Sequence, residues 1–218
     1  MHAASAARLV LNADDPRVAA MAGRTAARVV TFGRSPGADL RAEDEELDEH
    51  GRATFRMVTP SGAAEVALRL IGAHQVGNAL AAAAVAIELG ADPEMAAELL
   101  SAAEPTSRWR MEVTERADGV AVINDAYNAN PESMRAALET LGALTAGGRR
   151  GWAVLGPMAE LGEGEAEAHA EIGRLAARLG VPRLVAIGSG RGPRAYRAGY
   201  AEGGKGTVVP DVAAALPL

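Results

Sequence analysis

Asn124-Asp125-Ala126-Tyr127-Asn128-Ala129-Asn130-Pro131 is the stretch on which the reading of this chain turns. The run ahead of it, Gly119-Val120-Ala121-Val122-Ile123, is apolar, and Pro131 behind it opens a helical pattern. A strand covered on both faces reads as an unbroken apolar run, and proline suits the first helical turn, where its missing N–H costs nothing. The pattern predicts a strand over 120–125 in a parallel sheet and a helix over 131–144. Asp125, Tyr127, Asn128 and Asn130 then fall at the carboxyl end of a strand, the rim where open α/β sheets bind their ligands. A capped strand-to-helix turn accounts for a lone Asn-Pro. Those four side chains together exceed what capping needs.

The alternation continues downstream, with strand patterns over 151–156 and 183–187 and a helix over 165–179 between them. Strands alternating with helices argue for a doubly wound parallel sheet. Gly188-Ser189-Gly190-Arg191-Gly192-Pro193 follows a strand and imitates a dinucleotide loop, but proline stands where the third glycine belongs, so a Rossmann oxidoreductase is set aside. Upstream, Glu104-Pro105-Thr106-Ser107 breaks the helical pattern and reads as a domain boundary. Before it come short strands at 8–12 and 28–32, with a helix at 16–21 started by Asp14-Asp15-Pro16. The charge run 43–49 reads as a solvated loop or edge strand, and 53–59 with 63–70 as a hairpin about Thr59-Pro60-Ser61-Gly62. Helices follow at 75–90, ended by Gly90, and at 93–102.

Composition narrows the class. A chain of 218 residues that is 49% apolar can bury real cores. The net charge is −6 and the arginines are scattered, which gives no nucleic-acid footprint. The absence of cysteine rules out a disulfide framework and suits a reducing cytosol. The most apolar stretch, 79–89, is far short of a bilayer span, and Met1-His2-Ala3 has no charged region followed by an apolar core. The expectation is a soluble cytoplasmic protein without a membrane or nucleic-acid partner.

Four segments in order resemble the Mur ligase family. Asp125-Ala126-Tyr127-Asn128-Ala129-Asn130-Pro131-Glu132-Ser133-Met134 is similar to its signature, and Ile71-Gly72-Ala73-His74-Gln75-Val76-Gly77-Asn78-Ala79-Leu80-Ala81-Ala82 to its His-Asn-x-x-Asn-Ala-Leu-Ala-Ala helix start. Arg110-Met111-Glu112 resembles the family's Arg-Met-Glu, and Gly156-Pro157-Met158-Ala159-Glu160-Leu161-Gly162 its Gly-Asp-Met-x-Glu-Leu-Gly loop, with Pro157 in place of the Asp. Asn12-Ala13-Asp14-Asp15-Pro16 also fits. Within the family the likeness is to members that join D-alanyl-D-alanine to UDP-N-acetylmuramoyl-tripeptide.

The resemblance implies residues 1–104 as the rear part of the central, ATP-binding domain and 108–218 as a Rossmann-like carboxyl-terminal domain. It implies ATP as nucleotide, with His74 and Asn78 reading adenine, and Arg110 and Asp125 closing over ribose and phosphates. An amide carries the donor and acceptor an adenine edge needs; a carboxylate accepts from ribose hydroxyls, and a guanidinium offers a planar fork to phosphate. Capping is the plain alternative for Asn78, an ion pair with Glu112 for Arg110, and Arg108 competes with Arg110 if the segment is extended. Tyr127, Asn128 and Asn130 are expected beside the reacting phosphate or the incoming dipeptide. His169 reads as a helix residue.

The single lysine, Lys205 in Gly203-Gly204-Lys205-Gly206-Thr207, fails the phosphate-loop pattern and reads as a surface-turn residue. The family's phosphate loop, magnesium ligands and carbamylated lysine have no counterpart here, nor does its last Lys-Gly-Ser-Arg strand. The chain therefore reads as a ligase fragment without catalytic or metal-binding residues of its own. Magnesium ligands are expected outside it. The alternative is a non-catalytic remnant that binds an adenine nucleotide or a dipeptide.

Overall fold

The computed structural model describes residues 7–201 and 203–218, so the reading of Met1-His2-Ala3 lies outside the described residues. The chain divides into two compact units, Met1–Thr106 and Ser107–Leu218.

The first unit is a five-stranded sheet in the order β1-β2-β3-β4-β5, with β1 Arg8–Asn12, β2 Arg28–Gly33, β3 Leu40–Leu47, β4 Arg52–Thr59 and β5 Gly62–Ile71. The first three strands are parallel; β4 pairs antiparallel with both β3 and β5. Strict alternation builds its buried face: Ala53, Phe55, Met57 and Thr59 of β4 are buried, while Arg52, Thr54 and Arg56 are exposed. Helix α1 (Pro16–Ala19) is capped by Asp15, whose side chain accepts from the N–H groups of Arg17 and Val18, and it runs on into a 3₁₀ turn, Ala20–Arg24. Helices α2 (His74–Glu88) and α3 (Pro93–Ala102) press small residues, Ala79, Ala83, Ala84, Ala96 and Ala97, into the core beside Leu80 and Val76.

The charge run 43–49 proves to be mostly strand. β3 pairs with β2 only at Leu40 and Arg41, so beyond them it is an edge carrying Glu43 and Glu45 paired to Arg41, Arg56 and Arg34. A register shift between Glu43 and Glu46, with Asp44 at φ 53°, breaks the edge further. Charge and bulge are what keep an exposed edge from pairing with another chain.

In the second unit a three-stranded parallel sheet, order β10-β9-β8, is formed by β8 (Trp152–Leu155), β9 (Arg183–Ile187) and β10 (Lys205–Val209). Lys205 thus starts a strand rather than sitting in a turn. Helices α4 (Pro131–Thr145), α5 (Glu165–Arg178) and α6 (Arg191–Gly199) and a last short turn, α7 (Val212–Ala215), complete the unit. Leu138, Ile172, Leu175, Leu184, Tyr196 and Tyr200 form its core.

The decisive apolar run takes a different place from the one its sequence suggests. Residues 121–124 form β7 (Ala121–Asn124), paired antiparallel with β6 (Glu112–Glu115) in a separate two-stranded sheet. Val120 and Val122 are 51% and 45% exposed, so the strand is not covered on both faces. The reason is the turn at Arg116-Ala117-Asp118-Gly119. Gly119 takes φ 82°, its N–H donates to the Arg116 carbonyl, and Asp118 Oδ1 accepts from Val120 N–H. Asp-Gly is a strong short-range hairpin signal, and here it gives the strand an antiparallel partner.

Candidate functional site

The first unit gathers the start of α2 and the strand ends. Asp14, after β1, accepts from the N–H groups of Arg34 (2.7 Å) and Ser35 (2.9 Å) and from Ser35 Oγ (2.7 Å). Burial alone would raise the Asp14 carboxyl; these hydrogen bonds and the Arg34 charge outweigh it and hold it below the ordinary aspartate range. A carboxylate lowered in this way stabilises the fold above its unfolded-state pKa, and the contribution is lost as pH falls through the lower folded value. Arg34 in turn grips both Glu45 oxygens (2.7 and 3.0 Å) and the Ala73 carbonyl (2.7 Å), tying the β2–β3 connection to the residue just before α2.

His74 is the first residue of α2 and half-buried; Asn78 is exposed one turn on. Capping does not account for Asn78, because the N-cap is Ala73 and no side chain caps this helix. Instead Asn78 Nδ2 donates to Gln75 Oε1 at 3.0 Å. Gln75, where the family motif has Asn, therefore orients the Asn78 amide and leaves it one N–H and its oxygen, a donor and acceptor pair.

In the second unit the structure brings Arg110, Asp125 and Tyr127 together. Asp125 Oδ1 accepts the Met111 N–H at 3.0 Å, and the Tyr127 N–H donates to the Trp109 carbonyl at 3.1 Å. The Arg110 guanidinium lies over the exposed Tyr127 ring, 4.2 Å from its centroid, a cation–π contact. It is not paired with Glu112, whose carboxylate accepts the Trp109 N–H at 3.1 Å instead. Trp109 and Met111 have φ 61° and 48°. Such conformations are costly for side chains of this size and persist where surrounding contacts impose them. They also break the extended geometry that would have placed Arg108 on the side of Arg110.

Asn128 and Asn130 are bound up locally. Asn128 Oδ1 accepts from Ala129 N–H (2.9 Å). Asn130 is the N-cap of α4, in a reciprocal capping box with Ser133. Its amide oxygen is committed there, and its NH₂ takes no part in the box. The 156–162 loop leaves β8 with Met158 buried and Glu160 exposed at φ 60°. His169 is fully buried in α5, as a helix residue bonded to this loop.

Sequence reasoning missed Arg34 and Trp109. For Arg34 the signal was available in Gly33-Arg34-Ser35-Pro36, polar and turn-forming residues directly after an apolar run. Trp109 had no local signal.

Residues 2–86 match the Mur ligase middle domain and 109–218 the Mur ligase glutamate ligase domain; the chain belongs to the Mur ligase family. It is 56% identical to the UDP-N-acetylmuramoyl-tripeptide–D-alanyl-D-alanine ligase of Mycobacterium tuberculosis over 186 residues, 84% of this chain and 36% of that protein. With its counterpart in Mycobacterium leprae it is 49% identical, over 96% of this chain and 46% of that one. The chain thus spans between about a third and a half of the length of these curated relatives. Among solved structures, MurF from Acinetobacter baumannii superposes with TM-score 0.83 at 30% identity, covering 99% of this chain and 45% of that one. The MurF ligase of Thermotoga maritima, solved with ADP, shares the fold at TM-score 0.74 and 22% identity, over 97% of this chain and 51% of its own. Among the described residues no helix is long and apolar enough to cross a membrane.

Proposed function

We propose that this chain supplies the adenine-reading helix and the nucleotide-closing domain of a cytoplasmic, ATP-dependent ligase that joins D-alanyl-D-alanine to UDP-N-acetylmuramoyl-tripeptide in peptidoglycan precursor synthesis. Residues 1–104 are its partial central domain and 108–218 its carboxyl-terminal domain. The observation that carries the reading is the Asp125–Met111 hydrogen bond, which holds a strained turn and displays Arg110 on the exposed face of Tyr127. A guanidinium resting on a ring at the surface is placed to exchange that ring for phosphate oxygens. The relatives' names support the substrate pair, and the ADP complex of the Thermotoga protein supports the nucleotide.

In the proposed reaction the tripeptide's terminal carboxylate attacks the γ-phosphorus of ATP, giving an acyl phosphate and ADP. The amine of D-alanyl-D-alanine then attacks the acyl carbon, forming the amide and releasing phosphate. His74 and Asn78 hold adenine, Asp125 accepts from the ribose hydroxyls, and Arg110 bears on the phosphates as the domain closes. Tyr127, Asn128 and Asn130, in the segment between β7 and α4, meet the dipeptide, Asn130 through its NH₂. Magnesium accompanies ATP in this reading, with its ligands expected outside this chain. Among the described residues no group of three His, Cys, Asp or Glu could hold a metal ion, so no metal step is assigned to this chain.

The test is a chimera in which this chain replaces the matching segment of the M. tuberculosis relative and is flanked by that protein's remaining amino- and carboxyl-terminal parts. Phosphate release from ATP is expected in the chimera only when tripeptide and dipeptide are both present. The 218-residue chain alone is expected to give none, since positioning and electrostatics supply much of such a barrier and no phosphate loop is present to supply them. A chimera that binds ATP without turnover would favour a nucleotide-binding module instead.

In the same chimera Asn78→Ala is expected to weaken ATP by about 1–3 kcal/mol, the cost of leaving a base edge unread, and to blunt the preference for ATP over GTP. Titration of both nucleotides decides this. Unchanged affinity and selectivity would reduce Asn78 to a surface partner of Gln75.

A further inference from the structure

Two buried side chains with no part in the proposed reaction meet behind β8. His169 of α5 is 0% exposed, and both ring nitrogens are engaged. Its Nε2 accepts the Met158 N–H at 2.9 Å, so the ring proton sits on Nδ1 and is donated to the Glu165 carbonyl at 2.6 Å. Tyr196 of α6 packs edge-on against the His169 ring, centroids 4.6 Å apart, and its hydroxyl donates to the Gly156 carbonyl at 3.0 Å. The peptide groups on either side of Pro157, which has no N–H of its own, are thus each held by a buried side chain from a different helix.

The seat is shaped for this arrangement. A Cβ on Gly192 would lie 2.5 Å from His169 Nε2, so the imidazole fits only against a glycine. A buried histidine needs partners for both ring nitrogens. This one bonds to its own helix once and spends its other nitrogen on a loop 11 residues upstream. Beyond the held peptides the loop rises to Glu160, exposed and at φ 60°.

We propose that His169 and Tyr196 are positioning residues that preset the 156–162 rim, keeping its geometry with proline at 157, where the family motif has Asp. The clamp stands on this geometry alone; its bearing on catalysis rests on the ligase reading.

Hydrogen exchange of the 218-residue chain tests the clamp. In His169→Phe, which keeps an aromatic ring but no acceptor, the Met158 amide is expected to exchange at least about tenfold faster, since it loses its one hydrogen bond. The amides of β8, β9 and β10 should keep their protection, and His169→Gln, which restores an acceptor, should recover part of the Met158 protection. If the histidine variant fails to fold, Tyr196→Phe, which removes only the hydroxyl, should speed Met158 exchange several-fold. Met158 exchange as slow as in the wild type, or an equal rise throughout the unit, would overturn the clamp. In the chimera, His169→Phe should lower kcat/KM of the ligase reaction several-fold, with His169→Gln restoring it in part. Wild-type constants in a variant with fast Met158 exchange would overturn the positioning role. A wild-type chimera without turnover would count against the ligase reading, and the exchange measurement would still decide the clamp.

Discussion

Gly173→Ala is expected to destabilise the 107–218 unit by at least about 2 kcal/mol, even though alanine is the better helix former by about 1 kcal/mol. Gly173 lies within α5, and a Cβ there would run into the Tyr196 carbonyl oxygen of α6. Gly199 of α6 faces the Ala170 carbonyl of α5 in the same way. The two helices touch backbone to backbone, so the obstruction is not the movable end of a side chain. Relief requires the helices to separate, with loss of packing around Tyr196 and Tyr200. For a unit of this size the drop in Tm should be on the order of 10 °C. Gly142→Ala is the control: it is also inside a helix, α4, and its added Cβ would meet Leu179 at an ordinary 3.5 Å. That variant should gain roughly 0.5–1 kcal/mol. Thermal unfolding of both variants gives the answer, and a Gly173→Ala chain as stable as wild type would show that the α5–α6 contact is looser than described.

Asp125→Asn is expected to cut turnover of the chimeric ligase by about 10- to 100-fold, the cost of a lost hydrogen bond to a charged group, while leaving the fold intact. The amide keeps an oxygen for the Met111 N–H, so the strained Trp109–Met111 turn survives; what is lost is a pure acceptor for the proposed ribose contact. Asp125→Ala removes both functions and should lose more, since Met111 N–H is then unpartnered and Arg110 is no longer displayed on Tyr127. Because the ribose contact is proposed to form on domain closure, the loss should fall mainly on kcat rather than on ATP binding to the open enzyme. Wild-type kcat together with wild-type KM for ATP in a folded Asp125→Asn variant would leave Asp125 as a turn residue and nothing more.

The elements read from sequence with least error are those whose cause is local. Helix α3 occupies Pro93–Ala102 and strand β9 Arg183–Ile187, as their patterns predict, because proline at a first turn and a short bounded apolar run act within a few residues. The four ordered motifs that carry the family likeness are equally a property of the chain itself. Tertiary structure decided where hydrogen bonds go, over short spans of chain as well as long ones. Residues 120–125 are an apolar run that suits a parallel sheet or a hairpin; the Asp118-Gly119 turn just before them carried the hairpin signal, and pairing with β6 realises it. Asn130 became a helix cap when Ser133 turned back to it, and Gln75 gained a purpose when its side chain met Asn78. Arg34 reaches Ala73 across 39 residues, and Tyr196 reaches Gly156 across 40. No window of sequence contains such pairs. Hydrophobic periodicity reports which face of an element is buried, whereas the destination of a buried polar group is set by whatever the fold carries to within about 3 Å of it.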